Sequence, residues 1–142
     1  MEQRLSLVTL GVADLARARA FYEDGLGWTK GNSEEEVAFY QLNGLVFALW
    51  TRADLAEDAN ITDTGATFSG MALAFNTRSQ DEVDELLAQA KTAGGTILKP
   101  AQEVFWGGYS GYFADPDGHA WEVAWNPGWA IDETGHISLS GS

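Results

Sequence analysis

Leu5-Ser6-Leu7-Val8-Thr9-Leu10-Gly11-Val12, followed at once by Ala13-Asp14-Leu15, reads as a strand that feeds directly into a helix. Val8, Leu10 and Val12 fall on one face, the period-two signature of a half-buried strand. Asp14 offers a side-chain oxygen to the first turn of a helix. Leu15, Ala18, Phe21 and Tyr22 follow at helical spacing, and Gly25 and Gly27 stop the run. Residues 37–42 and 45–51 read as two further strands. Asn43-Gly44 between them is a two-residue hairpin signal, since both residue types tolerate positive φ.

The same grammar then restarts. Residues 52–69 are polar, acidic and rich in turn formers, a long connection in which Asp54-Leu55-Ala56-Glu57 has room for one helical turn. Residues 71–75 are strand-like. Ser79 with Glu82 three positions on is a capping-box arrangement, and Val83, Leu86, Leu87 and Ala90 form the apolar stripe of the helix it opens. Gly94-Gly95 end that helix. Residues 96–99, 108–114 and 120–125 complete a second set of strands, with Asp117-Gly118 as the last hairpin turn. Val12 and Phe75, which end equivalent strands, stand 63 positions apart, whereas Asn43 and Asp117, which open equivalent turns, stand 74 apart. The second half therefore carries 11 extra residues between its helix and its final hairpin. The repeat predicts one α+β domain over residues 1–142, made of two βαβββ units at about 5–51 and 70–126. Their mixed sheet would curve around a cup in pseudo-two-fold fashion, with the helices on its outer face. The tail, 127–142, is expected on the surface, on a partner subunit, or disordered near its end.

Composition narrows the function classes. A chain of 142 residues suits one domain and needs no disulfides, and it has no Cys to form them. The absence of Cys also removes thiol chemistry and fits a reducing cytoplasm, the expected location. A formal net charge of −13 argues against nucleic acid or an anionic membrane as partner. The N-terminal residues lack a basic segment followed by an apolar run, so no signal peptide is expected, and no stretch approaches a membrane span.

Leu10-Gly11-Val12-Ala13-Asp14-Leu15 with Phe21-Tyr22 and Leu26-Gly27 resembles the first half of a glyoxalase/bleomycin-resistance/extradiol-dioxygenase protein, the vicinal oxygen chelate superfamily. Asp115-Pro116-Asp117-Gly118 and Trp121-Glu122-Val123 are similar to its C-terminal signature. The resemblance spans nearly all of residues 5–126. It implies a shared fold and leaves the reaction open, because the superfamily hosts isomerases, dioxygenases, epimerases, thiol transferases and drug binders. In its metal-dependent members the first and last strands of each half supply His, Glu or Gln ligands. Those positions correspond here to Leu7, Gly70, Ala48 and Glu122. Three of the four lack a donor atom, so the resemblance implies a member without a metal or other cofactor. It also implies a homodimer.

Alternation gives the cup its expected lining. If Glu122 faces in, so do Ala120 and Ala124. Ala48 brings Val46 and Trp50, and Gly70 brings Ala72 and Ala74. Phe47, Leu49, Met71, Leu73, Phe75, Trp121 and Val123 would face the helices as core. Small residues on the concave side leave room for a ligand, and they are equally compatible with tight packing of two halves. Trp50, Trp106, Tyr109 and Tyr112 are candidate ligand contacts on or near the rim, with core or interface packing as the plainer reading for each. Trp106-Gly107-Gly108-Tyr109 has the composition of a lid, or of a bulge in an edge strand. Glu122 is the candidate catalytic residue, a general base or an acceptor for a ligand N–H, unless it is merely a neutralised carboxylate. His119 and His136 are weaker candidates. Three functions stay open: a metal-free binder of a small apolar or aromatic molecule, a lyase, isomerase or dioxygenase using Glu122 as base or metal ligand, and an interaction module with a filled cup.

Overall fold

The computed structural model describes every residue except 2, 4, 32–35, 67, 70, 106 and 140–142. The chain divides into two compact units, Met1–Ser69 and Gly70–Ser142. The division falls where the second repeat begins. Both units are α+β, and none of the described helices is long and apolar enough to cross a membrane.

In the first unit, β1 (Leu7–Val12) leads into helix α1 (Leu15–Arg19), which continues as a π-helical turn, Ala20–Gly25. Asp14 caps α1 by accepting a hydrogen bond from the Arg17 N–H at 3.0 Å. Strands β2 (Val37–Gln41) and β3 (Val46–Thr51) follow. The sheet order is β1-β3-β2, with β1 parallel and β2 antiparallel to β3. Gly44 takes the left-handed conformation in the β2–β3 turn (φ 88°), while Asn43 does not. Three strands stand here among the described residues, where the repeat predicts four. Ahead of β2, Gly31 donates its N–H to the Phe39 carbonyl at 2.8 Å.

One face of this sheet carries the core. Leu10, Val12, Ala38, Tyr40, Phe47 and Leu49 are buried there with Ala18, Phe21 and Tyr22 from the helix. Phe47 is central: its ring lies 5.2 Å from both Tyr22 and Trp28 and 6.1 Å from Tyr40. Tyr40 donates its hydroxyl to Glu23 Oε2 at 2.8 Å, and Arg19 Nε pairs with the same oxygen at 2.9 Å. The Arg19 hydrogen bond holds the Glu23 carboxyl below the usual carboxylate range, and the Tyr40 hydroxyl adds to that. Burial pushes the Tyr40 phenol up, and its bond to Glu23 does so further. A depressed folded-state pKa stabilises above the unfolded value and is lost as pH falls through the folded one. Tyr40→Phe should therefore cost about 1–2 kcal/mol at neutral pH. The gap from wild type should narrow in acid, as pH falls through the lowered folded-state pKa of Glu23. Urea titrations at the two pH values check this, and a gap that widens in acid would contradict it.

Helix α2 (Arg52–Ala59) directly follows β3. It is longer than the single turn expected, with Thr51 as its N-cap and Asn60 closing it in the left-handed conformation. It also departs from the expectation that every helix lies behind the sheet. A Cβ built on Gly11 would meet Arg52 Cγ at 3.1 Å and Leu55 Cδ2 at 3.4 Å. Gly11 shares its face with Leu7 and Thr9, so α2 sits on the side away from the aromatic core. Arg52 then forks onto Asp63, Nη2 to Oδ1 at 2.8 Å and Nε to Oδ2 at 3.0 Å. That fork, with the Gly65 N–H, lowers the Asp63 carboxyl to about 2.

The second unit completes the predicted pattern: β4 (Ala72–Thr77), α3 (Gln80–Thr92), β5 (Thr96–Glu103), β6 (Tyr109–Ala114) and β7 (Ala120–Trp125), in sheet order β4-β7-β6-β5. Ser79 caps α3 through the Glu82 N–H, and the Glu82 carboxylate accepts the Arg78 N–H in return. Val83, Leu87 and Ala90 are buried beneath it. Part of the extra length of this half lies in β5, which runs on to Glu103 through two register shifts around Pro100. Such irregularity is tolerated on an edge strand. Gly111 is required here, because a Cβ would sit 2.8 Å from the Lys99 carbonyl oxygen. Phe113 and Trp121 stack at 6.1 Å. Met71 and Phe75, expected in the core, are 45% and 50% exposed. The cause is topological, since β4 is an edge strand of this sheet. The tail forms a small hairpin, β8 (Ala130–Ile131) with β9 (Ile137–Ser138). Asp132 organises it by accepting from the N–H groups of Thr134 and His136, and Arg78 donates to its carbonyl at 2.7 Å.

Candidate ligand-binding site

The face of the first sheet opposite the aromatic core holds a groove of about 470 Å³. It is lined by Leu7, Thr9, Glu36, Val37, Phe39, Ala48 and Trp50. Register explains why these residues meet. Thr9 and Phe39 flank Ala48 on either side, and Val37 lies opposite Trp50. Ala48 lines the groove and is itself 1% exposed. Gly11 pairs with Trp50, so α2, seated on Gly11, bounds the sheet at that end. Leu7, Ala48 and Trp50 thus lie together, as the sequence suggests. Thr9, Val37 and Phe39 join them by strand parity, and Glu36 stands just before β2.

The corresponding face of the second sheet carries Ala72, Ala74, Asn76, Ser110, Tyr112, Ala114, Ala120, Glu122 and Ala124, by alternation and register. Glu122 is half-buried and stands directly opposite Tyr112 in the β6–β7 ladder. Burial raises the Tyr112 phenol, and the neighbouring Glu122 carboxylate raises it further. Glu122 is thus a carboxylate beside a phenol, able to accept a hydrogen bond. Ala72 is exposed beside Ala120.

Tyr109 belongs elsewhere. Strand parity puts it on the α3 side, where its hydroxyl donates to Asp84 Oδ1 at 2.7 Å. That bond pushes its phenol up. Gly70 and Trp106 lie outside the described residues. The loop that carries Trp106 is the β5–β6 turn, closed by the Val104 N–H on the Gly108 carbonyl. Asp115 in the Asp-Pro-Asp-Gly motif is a turn former, 3% exposed, accepting the N–H groups of Asp117 and His119 at 2.9 Å each.

The family model of the Glyoxalase/Bleomycin resistance protein/Dioxygenase superfamily matches residues 4–123. The chain belongs to this superfamily. Among curated relatives, the metallothiol transferase FosB of Lysinibacillus sphaericus is 31% identical over 123 residues, covering 84% of this chain and 80% of the relative. A solved glyoxalase-related enzyme from Fulvimarina pelagi is 42% identical with a TM-score of 0.91, covering 98% of this chain and 99% of the other. A glyoxalase/bleomycin resistance protein from Albidiferax ferrireducens is 25% identical with a TM-score of 0.66, covering 87% and 98%.

Metal-dependent members of the glyoxalase superfamily would need donors at the four strand positions already named. The residues here do not fit that requirement. Leu7 and Ala48 present only hydrocarbon to the groove, Gly70 has no side chain, and Glu122 stands opposite Tyr112. Among the described residues, no three His, Cys, Asp or Glu side chains converge. One carboxylate without companions is a poor site for a transition metal.

Proposed function

We propose that this superfamily member binds a small, apolar or partly aromatic organic molecule in the first unit's groove, without a metal. The observation that carries the reading is the groove itself: its volume lies within the range of small-molecule pockets. Leu7 and Ala48, at two of the positions where metal ligands would stand, line it. The FosB relative is named a metallothiol transferase, and the missing donors at Leu7, Ala48 and Gly70 argue against a metal site of that family's kind in this chain. Glu122 serves on the second unit as a fixed acceptor rather than as one of a ligand set. Calorimetric titration of the full chain with planar apolar probes tests the reading. It should show saturable binding at one groove per chain, and absence of any saturable binding would overturn it.

A homodimer is part of the same proposal. β1 and β4 are edge strands in their sheets, and beside or on them Leu5 and Leu7, and Met71 and Phe75, are 45–71% exposed. Unpaired edges with apolar side chains invite pairing with another chain. Equilibrium sedimentation should return twice the chain mass, and a single-chain mass would overturn the dimer.

A further inference from the structure

We infer that the ligand of the first unit's groove is a slender molecule lying along the strand direction, held to a length of about 13 Å by helix α2; this rests on the groove reading above. Register orders the lining along the strands. Leu7 stands at one end, Thr9, Ala48 and Phe39 in the middle, and Trp50 with Val37 at the other. Gly11 belongs to the Trp50 level. The step from Leu7 to Gly11 covers about 13 Å at the rise of a strand.

The two ends differ. Toward Leu7 the strand runs out to solvent, with Leu7 46% and Leu5 71% exposed. At the other end α2 packs on both β1 and β3. On the groove face, the space that a side chain at position 11 would take is filled by α2. A Cβ there would meet Arg52 Cγ at 3.1 Å, Arg52 Cα at 3.3 Å and Leu55 Cδ2 at 3.4 Å. This end wall is held in place: Thr51 caps the helix at its start, and Arg52 is tied to Asp63 by its fork. The wall presents hydrocarbon, the Leu55 side chain and the Arg52 stem. An apolar inner end matches that surface, whereas a polar one would be desolvated against it. The ligand's polar group therefore sits toward Leu7. The class that fits is an amphiphile, an alkyl chain or linear ring system with one polar end.

The primary alcohols butanol, hexanol, octanol, decanol and dodecanol test the stop, by calorimetry on the full chain. Affinity should rise about fourfold with each added methylene while the chain still finds apolar surface to cover. The gain should cease between octanol and decanol, where an extended chain outruns about 13 Å. Leu55→Ala removes hydrocarbon from the wall. Leu55 is half-buried and lies outside the aromatic core, so the unit should still fold. In this variant the gain should continue to dodecanol. A gain that runs through dodecanol in wild type would overturn the length limit. A cut-off at the same alcohol in Leu55→Ala would overturn α2 as its cause. Binding of planar probes but of none of the alcohols would overturn the slender ligand and leave the groove reading standing. Failure of both classes to bind would count against the groove reading and take this inference with it.

Discussion

Phe47→Ala is expected to lower stability by about 3–5 kcal/mol, a large part of the roughly 5–15 kcal/mol that holds a typical domain together. Phe47 is 1% exposed and packs against Tyr22, Trp28 and Tyr40 at once. Truncation removes a large apolar group from water-free surroundings and leaves a cavity that rings pinned to a helix and a strand cannot readily fill. Edge-to-face contacts among the four rings are lost as well. The measurement is a urea titration, read as a lower midpoint with an unchanged slope. A loss under about 1 kcal/mol would show that this cluster is not the first unit's core.

Its neighbour acts chiefly on binding. Ala48→Trp is expected to abolish saturable ligand binding at a smaller stability cost, about 1–3 kcal/mol, for overfilling a position that is 1% exposed. Successive strand residues face opposite sides, so position 48 points away from the rings that hold position 47. The indole would project into the 470 Å³ groove between Thr9 and Phe39 and occupy the volume proposed for the ligand. Affinity should fall at least about a hundredfold, beyond the reach of the isotherm that wild type gives. The pair of variants separates the two faces of one strand: one residue for stability, the next for binding. Retention of wild-type affinity by Ala48→Trp would move the ligand elsewhere.

Much of this geometry is legible in the sequence. Asn43-Gly44 sets the hairpin, and with Leu42 facing Leu45 the register places Phe39 opposite Ala48 and Val37 opposite Trp50. Thr9, Val37 and Phe39 follow from Leu7, Ala48 and Trp50 by that count, though composition alone does not single them out. The same parity test, applied from Tyr112, sends Tyr109 to the α3 side, where its aromatic character serves packing and a hydrogen bond to Asp84. Helix α2 is marked less plainly in the sequence. Leu55 is its one large apolar residue, so no amphipathic stripe announces it. Its ends are fixed instead by Thr51, by Asn60 and by the Arg52–Asp63 fork, and its seat depends on a missing side chain at Gly11. The exposure of Met71 and Phe75 follows from strand order, which local hydropathy does not encode.

Metal content decides most directly between an organic guest and a bound metal ion. The full chain, incubated with manganese, iron, nickel and zinc salts, desalted and measured by elemental analysis, should retain far less than one ion per chain. Glu122→Ala should not change that figure. One equivalent of a transition metal retained by wild type and lost in Glu122→Ala would show that Glu122 has ligand partners after all, and would contradict the account.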